Sequence, residues 1–570
     1  MLTTRALRCL TDAVLSCVLA LSAATLTAAS GQAQTLRGTV RDSVSGLPIA
    51  GAVLLLLDSA GAVVDRNIAN ERGVYALELA ASARRVRVQR IGFRLRELRL
   101  PERRGESNGS ALTFDVVMVA IPTFLERVTV NDQGKCSKRA DRAAAFALLE
   151  QARNGLLATV VAREANPAAM VRLTYERTMA GTSDRVDHMQ VFADSTARST
   201  SAFGAARTAV DFGRRGFADD GVTTQTFFAP DANVLLDQNF ADAYCFQLAN
   251  PDPSRSTQVG LAFVPADRRR GRIDINGVLW IDTVARALRD IEFRYVGVDA
   301  AVERFKPGGR ISFREMDNGI VLIDRWNLRL IGDSASVTMP TRDPKTEHAF
   351  NVHESGGELA YAEWTDGHAW KASLGALRVH ALTTEKQPAT GTQLWLDDTP
   401  YGAIVDSAGY AVFSGLIPGP YSLVIVDPRL RPLNFDLPTP LTFIANRDSV
   451  VERPLDTFTT EEFLSRRCIA DHRFEPSSPI VFGRVTGLDG QAVEDVIVTF
   501  AQQIGPGQSQ PTGKSYKTGT DGLFFSCAAK IPMGGTLSTT ASEGGWTGAV
   551  VQQAMTSMLT ILPIRFKPKP

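Results

Sequence analysis

At 570 residues the chain exceeds the size at which a single hydrophobic core stops growing, so about three to five domains are expected. Its 44% apolar and 22% charged residues exclude a chain disordered throughout and a multi-span membrane protein. A formal charge of +1 excludes the broadly basic surface that nucleic acid or an anionic membrane would require.

In chain order, Arg5 and Arg8 precede an apolar stretch from Ala13 to Ala29, and the small residues of AASGQA follow. This is the pattern of an export signal, with cleavage expected after Ala33 and no membrane span left behind. A retained anchor is the weaker reading, because the run is slightly short and rich in Ala, Ser and Thr. Cleavage removes two basic residues and one acidic one, which leaves the charges balanced. The expected location is the periplasm, the outer membrane or the cell surface.

From Leu36 to Ile121, short alternating or wholly apolar runs are separated by turn residues: LRGTV, AVLLLLD, AVVDRNI, VYALELA, RRVRVQRIGF and LTFDVVMVAI. Such spacing predicts a small sandwich, and the unbroken run Val53 to Leu57 predicts a central strand covered on both faces. Gly46 and Pro48 suit the turn leaving the first strand, Gly51 a close approach of backbones, and Gly73 a positive φ before the strand containing Tyr75.

The phrase RGTVRDSVSGLPIAGAVLLLL returns in looser form as FGRVTGLDGQAVEDVIVTF at 482–500, followed by Thr520, Asp521, Gly522, Leu523 and Phe524. A third copy, DSAGYAVFSGLIPGPYSLVIV, lies at 406–426. Between the first two copies in chain order, SKRADRAAAFALLEQARNGLLATVVAREAN at 137–166 predicts the one long helix, with Pro167 close behind. After it, LRDIEFRY and RWNLRL alternate apolar and polar residues, which predicts an antiparallel sheet with one dry and one wet face. The DNG at 317–319 marks a hairpin within it, and ADRRRGR at 266–272 reads as a solvated hairpin tip.

Gly38, Val40, Asp42, Gly46, Pro48, Ile49, Gly51, Ala52 and Val53, then Asn70, Gly73 and Tyr75, then Ile91, Gly92 and Phe93 carry a resemblance. With them, residues 34–121 resemble the carboxypeptidase regulatory-like domain, a prealbumin-like, immunoglobulin-like sandwich found in exported bacterial proteins and at the N-termini of TonB-dependent receptors. The resemblance implies fold, and sandwiches of this type host many functions. FLERVTVND at 124–132 resembles the linker leading into the plug of such receptors, although too little chain follows for a plug and a large barrel. GVLWIDTVARALRDIEFRY resembles two strands of the curved sheets of periplasmic lipoprotein carriers.

The expected architecture is therefore mainly β and multidomain, with sandwich modules flanking a central antiparallel β domain with one long helix. Its parts are a signal peptide (1–33), the regulatory-like sandwich (34–121), a linker and helix (122–166), the antiparallel domain (167–370), a second sandwich-like module (371–460), a linker (461–478) and a third module (479–570). Cys136, Cys245, Cys468 and Cys527 survive processing, and an even count in an exported chain predicts two disulfides. Three connectivities are open. Cys136 with Cys245 and Cys468 with Cys527 is favoured, since each pairing joins the linker entering a domain to a strand inside it.

Several motifs touch on chemistry and fall short of it. PTGKS at 511–515 lacks the Gly that a phosphate-binding loop needs at 508, where Gln508 stands. HRFE, His472 to Glu475, has a zinc-hydrolase spacing, but His472 is the last histidine and no third ligand follows. His348, His353 and Glu354 form the best metal candidate, yet residues five apart on a strand face opposite sides. DFG at 211–213 has no kinase loops around it. Asp219 with Asp220 and Glu461 with Glu462 read as solvated loop or helix-start charges, lacking the burial that would split their acidities. No catalytic residue, metal or cofactor is expected.

Among six tryptophans, Trp280, Trp326 and Trp395 lie in apolar strand patterns and are expected in cores. Trp364, Trp370 and Trp546 sit among polar and Gly residues and are the candidates for an exposed ligand face. The expected function is non-catalytic binding or scaffolding in the cell envelope, with a carbohydrate or another envelope protein as partner. The alternatives are an accessory of TonB-dependent transport and a carrier of an apolar ligand on the central sheet.

Overall fold

The structure is a computed structural model. It describes residues 34–101, 111–121, 142–179, 186–196, 207–220, 225–267, 272–317, 319–331, 335–338, 346–349, 352–470, 479–512, 515–527 and 531–568. The chain is mainly β and divides into two compact units. The first comprises residues 1–169, 197–328 and 363–368, and the second residues 170–196, 329–362 and 369–570. The expected signal segment, FLERVTVND and HRFE lie outside the described residues.

In the first unit, Thr35–Asp42 pairs antiparallel with Val74–Glu78 and parallel with Leu112–Thr113 and Val116–Met118. A second sheet runs in the order Val63–Ile68, Val53–Leu57, Arg85–Gln89, Arg96–Arg99. Between the sheets pack Leu36, Val40, Leu54, Leu56, Tyr75, Val86, Val88 and Val116. All five residues of Val53–Leu57 are buried. The reason is the helix Arg142–Ala165, which packs on this strand from outside the sandwich, so the run needs apolar side chains on both faces.

The same helix lies against the strands Tyr244–Leu248, Gln258–Pro265 and Ala287–Val296. Gly155 permits the approach, since a Cβ there would stand 2.8 Å from Ile91 and 3.0 Å from Leu288. The strands Tyr244–Leu248, Gln258–Pro265, Asp274–Asp282, Ala287–Val296 and Gly308–Glu315 form a meander, each antiparallel to the next. Ile291, Phe293 and Tyr295 point to the dry face, where Phe212, Phe217, Phe240, Tyr244 and Phe263 cluster. Aromatic side chains in mutual contact line that face.

In the second unit, Ala168–Met179 pairs with Val186–Thr196 and lies beside Val352–Trp364. The second sandwich sets Gly375–Leu382 between Tyr410–Leu416 and Val450–Asp456, opposite a sheet of Gly402–Ile404, Gln393–Leu396, Gly419–Val426 and Leu437–Ala445. The third sets Ile480–Thr486 between Leu523–Ser526 and Leu559–Arg565, opposite Gln508–Pro511, Ile497–Gly505, Thr536–Glu543 and Trp546–Ala554.

The recurring phrase is one backbone frame built three times. Val40 donates its amide to Gly73, Ala381 to Gly409, and Val485 to Gly522; Ile49, Ala389 and Val493 donate back to Val40, Ala381 and Val485. In each copy the first strand runs antiparallel to the strand after the glycine and parallel to the last strand. Gly73, Gly409 and Gly522 have φ of +69°, +84° and +67°, and a Cβ at Gly73 or Gly522 would meet a carbonyl oxygen at 2.5 Å. Only glycine serves where both demands coincide. The residue entering the second strand is also left-handed in all three copies, as Gly51, Gly391 and Asp495.

The second and third sandwiches share a hydrophobic cluster in which Leu430, Leu433, Leu464, Cys468, Ile480, Phe482, Cys527 and Leu559 are all buried. Residues 461–470 of the expected linker form most of the helix Thr460–Ala470, because Leu464 and Cys468 fall one turn apart and enter that cluster together. Cys468 and Cys527 are joined as a disulfide. Cys245 is disulfide-bonded too, while Cys136, its expected partner, lies outside the described residues.

Asp427 ties this junction together, accepting from the Arg429 backbone and side chain and from the Thr460 hydroxyl. Burial raises its carboxyl, but those bonds outweigh it and hold the group at about 2. A depressed carboxylate contributes stability that is fully present above its unfolded value and is lost as pH falls through the folded one. Denaturant midpoints of the second unit are expected to fall between about pH 4 and pH 2, and Asp427→Asn to flatten that slope. An unchanged slope in the variant would remove Asp427 from the account.

Candidate binding surface

The structure redistributes the tryptophans. Trp364 is buried, at 6% exposure, so it is no ligand-face residue. It ends the strand Val352–Trp364 on the same side as Ala362, and its polar neighbours Thr365 to His368 belong to the following turn, which explains the misleading local composition. Trp370 and Trp546 are half-buried. Trp546 packs against the third sandwich's core and donates its indole N–H to the Lys567 carbonyl at 3.1 Å. Trp280 is buried on the charged face of its sheet and not in the core, lying under the Arg255 guanidinium and donating its indole N–H to Glu292 at 3.2 Å, and Trp326 is half-buried.

Trp395, expected in a core, faces outward at 40% exposure. The signal for this was present in the sequence: in QLWL, Leu394 and Leu396 occupy the core, so strand alternation turns Gln393 and Trp395 to the other side. The indole lies over Gly402, where a Cβ would stand 2.6 Å from the ring. Cross-strand pairing places Gln393 beside Ile404 and Val426, Trp395 beside Val424, Val424 beside Pro438, Ser422 beside Thr442, and Pro420 beside Ile444. Ile404 and Ile444 are each 65% exposed. The four strands carry no Asp, Glu, Lys or Arg, in a chain that is 22% charged.

The metal candidate does not assemble. Glu354 is buried, receiving the Tyr175 hydroxyl at 3.1 Å and the Arg177 guanidinium at 3.5 Å, while the adjacent His353 is exposed on the opposite face. Glu354 thus serves as the counter-charge of Arg177, which also donates to the Pro418 carbonyl. His348 lies in the strand Thr346–Ala349, paired with Ala335–Thr338. Among the described residues no group of three His, Cys, Asp or Glu side chains converges on a metal position.

Of the paired carboxylates, Asp219, Glu461 and Glu462 each have a structural partner. Asp219 is held by both terminal nitrogens of Arg207, at 3.0 and 2.9 Å, instead of standing in solvent. Arg207 itself is buried, and its hydrogen bonds together with its charge draw the Asp219 carboxyl below the usual range. Glu461 binds Arg429, and Glu462 closes a capping box with Thr459. DFG lies in a short helix, with Phe212 in the aromatic cluster.

Two charge networks leave no local sequence signal, since their members are separated along the chain. On the wet face of the meander, Arg255 binds Asp290 at 2.8 Å and Glu292 at 2.5 Å, and Arg310 binds Asp290 as well. Burial raises the Asp290 carboxyl, while the Ser312, Arg255 and Arg310 bonds outweigh it and leave it below its ordinary value. In the segment RIGF, Arg90 donates to the Ala50 and Arg286 carbonyls and to Glu315, and Gly92 donates to Gln151 of the long helix. The residues quoted for the family resemblance at 91–93 thus seat the first sandwich on its neighbours in the first unit.

Residues 35–116 match the model of the carboxypeptidase regulatory-like domain. No curated protein sequence matches the chain. Among solved structures, the chain is similar to the TIE protein of Bacillus anthracis, with 9% identity and a TM-score of 0.12, over 61% of this chain and 64% of that one. It therefore spans less than two-thirds of that protein's length. It is also similar to GBS52, the minor pilin of Streptococcus agalactiae, with 14% identity and a TM-score of 0.14 over 34% of this chain and 97% of that one. The shaft pilin SpaA of Lactobacillus rhamnosus GG gives 7% identity and a TM-score of 0.14 over 35% and 98%.

Proposed function

We propose that the chain is a non-catalytic, exported binding and scaffolding protein of the cell envelope, and that it holds a neutral carbohydrate on the outer face around Trp395. The observation that carries the scaffold reading is the threefold frame: the residues that recur set backbone conformation and burial, and none is a reactive group. The export signal read in the sequence supports the location. Among the described residues no helix is long and apolar enough to cross a membrane.

The chemistry of the Trp395 face favours a neutral sugar. The indole lies over Gly402 and the residue is 40% exposed, which suits the apolar C–H face of a sugar ring. Gln393, Ser422 and Thr442 on the same face offer uncharged donors and acceptors, and the four strands carry no Lys or Arg to select an acidic polymer. A glycan screen on the purified chain is expected to give neutral-sugar binding that Trp395→Ala weakens about tenfold, a loss of about 1.4 kcal/mol, with the thermal midpoint unchanged. Binding that survives Trp395→Ala would remove this face. No glycan binding at all would shift the partner to an envelope protein, recoverable from an envelope extract.

A further inference from the structure

The outermost strand in the second sheet of each sandwich is treated differently in the three copies. The first copy ends that sheet with Arg96–Arg99, three of whose four residues are charged. The second ends it with Leu437–Ala445, which carries Pro438 and Pro440. Charge and proline are the devices by which sheet edges refuse further strands. The third copy ends with Trp546–Ala554, WTGAVVQQA, nine residues long with neither a charge nor a proline.

The direction of its free backbone groups follows from neighbouring hydrogen bonds. Met555 exchanges hydrogen bonds with Gly534 and Gly535 at the entrance to the adjacent strand Thr536–Glu543, so residues of its parity face inward. Gly548 turns its carbonyl the other way, accepting from Lys567 at 3.2 Å. By alternation, Val550, Gln552 and Ala554 aim their N–H and C=O groups at the open edge. Their side chains are exposed. The opposite edge of the sheet, Gln508–Pro511, is short and closed by a proline.

We propose that this edge pairs antiparallel with the same strand of a second copy of the chain, about a twofold axis at Gln552. In that register Gln552 faces Gln552 and Val550 faces Ala554, giving about six backbone hydrogen bonds across the axis. An axis of this kind sets a residue against its own copy, so any charge near it would repel itself. Among the chain's described outer strands of these sheets, Trp546–Ala554 meets both conditions over Val550 to Ala554, lacking charge and leaving the outward backbone groups of Val550, Gln552 and Ala554 unpaired among the described residues, while Lys567 takes the Gly548 carbonyl at the strand's other end. Because the contact uses one patch twice and the far edge is blocked, assembly closes at two copies. The inference does not depend on the carbohydrate reading.

Sedimentation velocity of the purified full chain across the micromolar range tests it. A concentration-dependent dimer is expected, weakened about tenfold or more by Val550→Pro, which deletes one outward donor and leaves the ladder to Thr536–Glu543 intact. Gln552→Lys is expected to give monomers, and an equimolar mixture of Gln552→Lys with Gln552→Glu to restore a dimer. If Val550→Pro fails to fold by circular dichroism, the charge pair carries the test alone. A monomer at every concentration, or a dimer indifferent to Gln552→Lys, would overturn the proposal, as would capture of a foreign strand by this edge without self-association.

Discussion

Replacing Cys468 and Cys527 together by serine is expected to lower the unfolding free energy of the second unit by about 4 kcal/mol. The bridge spans 59 residues of sequence, and the loop-closure entropy that a loop of this length removes from the unfolded chain amounts to about that figure. Both cysteines are buried, at 0% and 1% exposure, so serine adds the cost of unpartnered hydroxyls. Reducing the wild-type bridge and measuring urea unfolding in the presence of reductant separates the two contributions. Equal midpoints for oxidised and reduced protein would show that the cluster around Phe482 and Leu464 holds the junction unaided.

Arg90→Met is expected to cost about 3–5 kcal/mol in the first unit, the range for breaking a buried ion pair on one side. Arg90 is 9% exposed and its removal strands three acceptors: the Ala50 carbonyl, the Arg286 carbonyl, and Glu315, which it contacts at 2.6 Å. Most of the loss is the cost of a carboxylate left without its counter-charge, so adding Glu315→Gln to Arg90→Met is expected to recover part of it. Chemical denaturation of the two single variants and the double variant gives the coupling. Additive losses would mean that Arg90 and Glu315 act independently.

The frame of the sandwiches was legible because it is written in local chemistry. Gly73 and Gly522 are required by a carbonyl 2.5 Å from where a side chain would start, and such a demand leaves a glycine in any sequence that builds the turn. The long helix and the alternating strands of the meander were readable for the same reason, as their periods report burial directly. The binding surface was less legible. Local polarity placed Trp364 outside and Trp395 inside, although the polar residues after Trp364 are only its turn and the leucines around Trp395 are its opposite face. Networks such as Arg90 with Glu315, separated by 225 residues, leave no local trace. The junction of the second and third sandwiches was half visible: the cysteines signalled a staple, but nothing in 461–470 taken alone announces that one side of its helix is buried.

The parallel pairing of first and last strands bears on how the modules behave under tension. In the second sandwich Ala376 to Leu382 lie in register with Val450 to Asp456, and in the third Ile480 to Thr486 with Leu559 to Arg565. Since the two strands point the same way, the chain enters at one end of the pair and leaves at the other. A pull along the polypeptide therefore slides the strands past each other and loads the whole ladder at once, in shear, instead of opening it one bond at a time. The first sandwich, whose corresponding ladder is split between two short segments, is expected to yield under smaller force in single-molecule pulling.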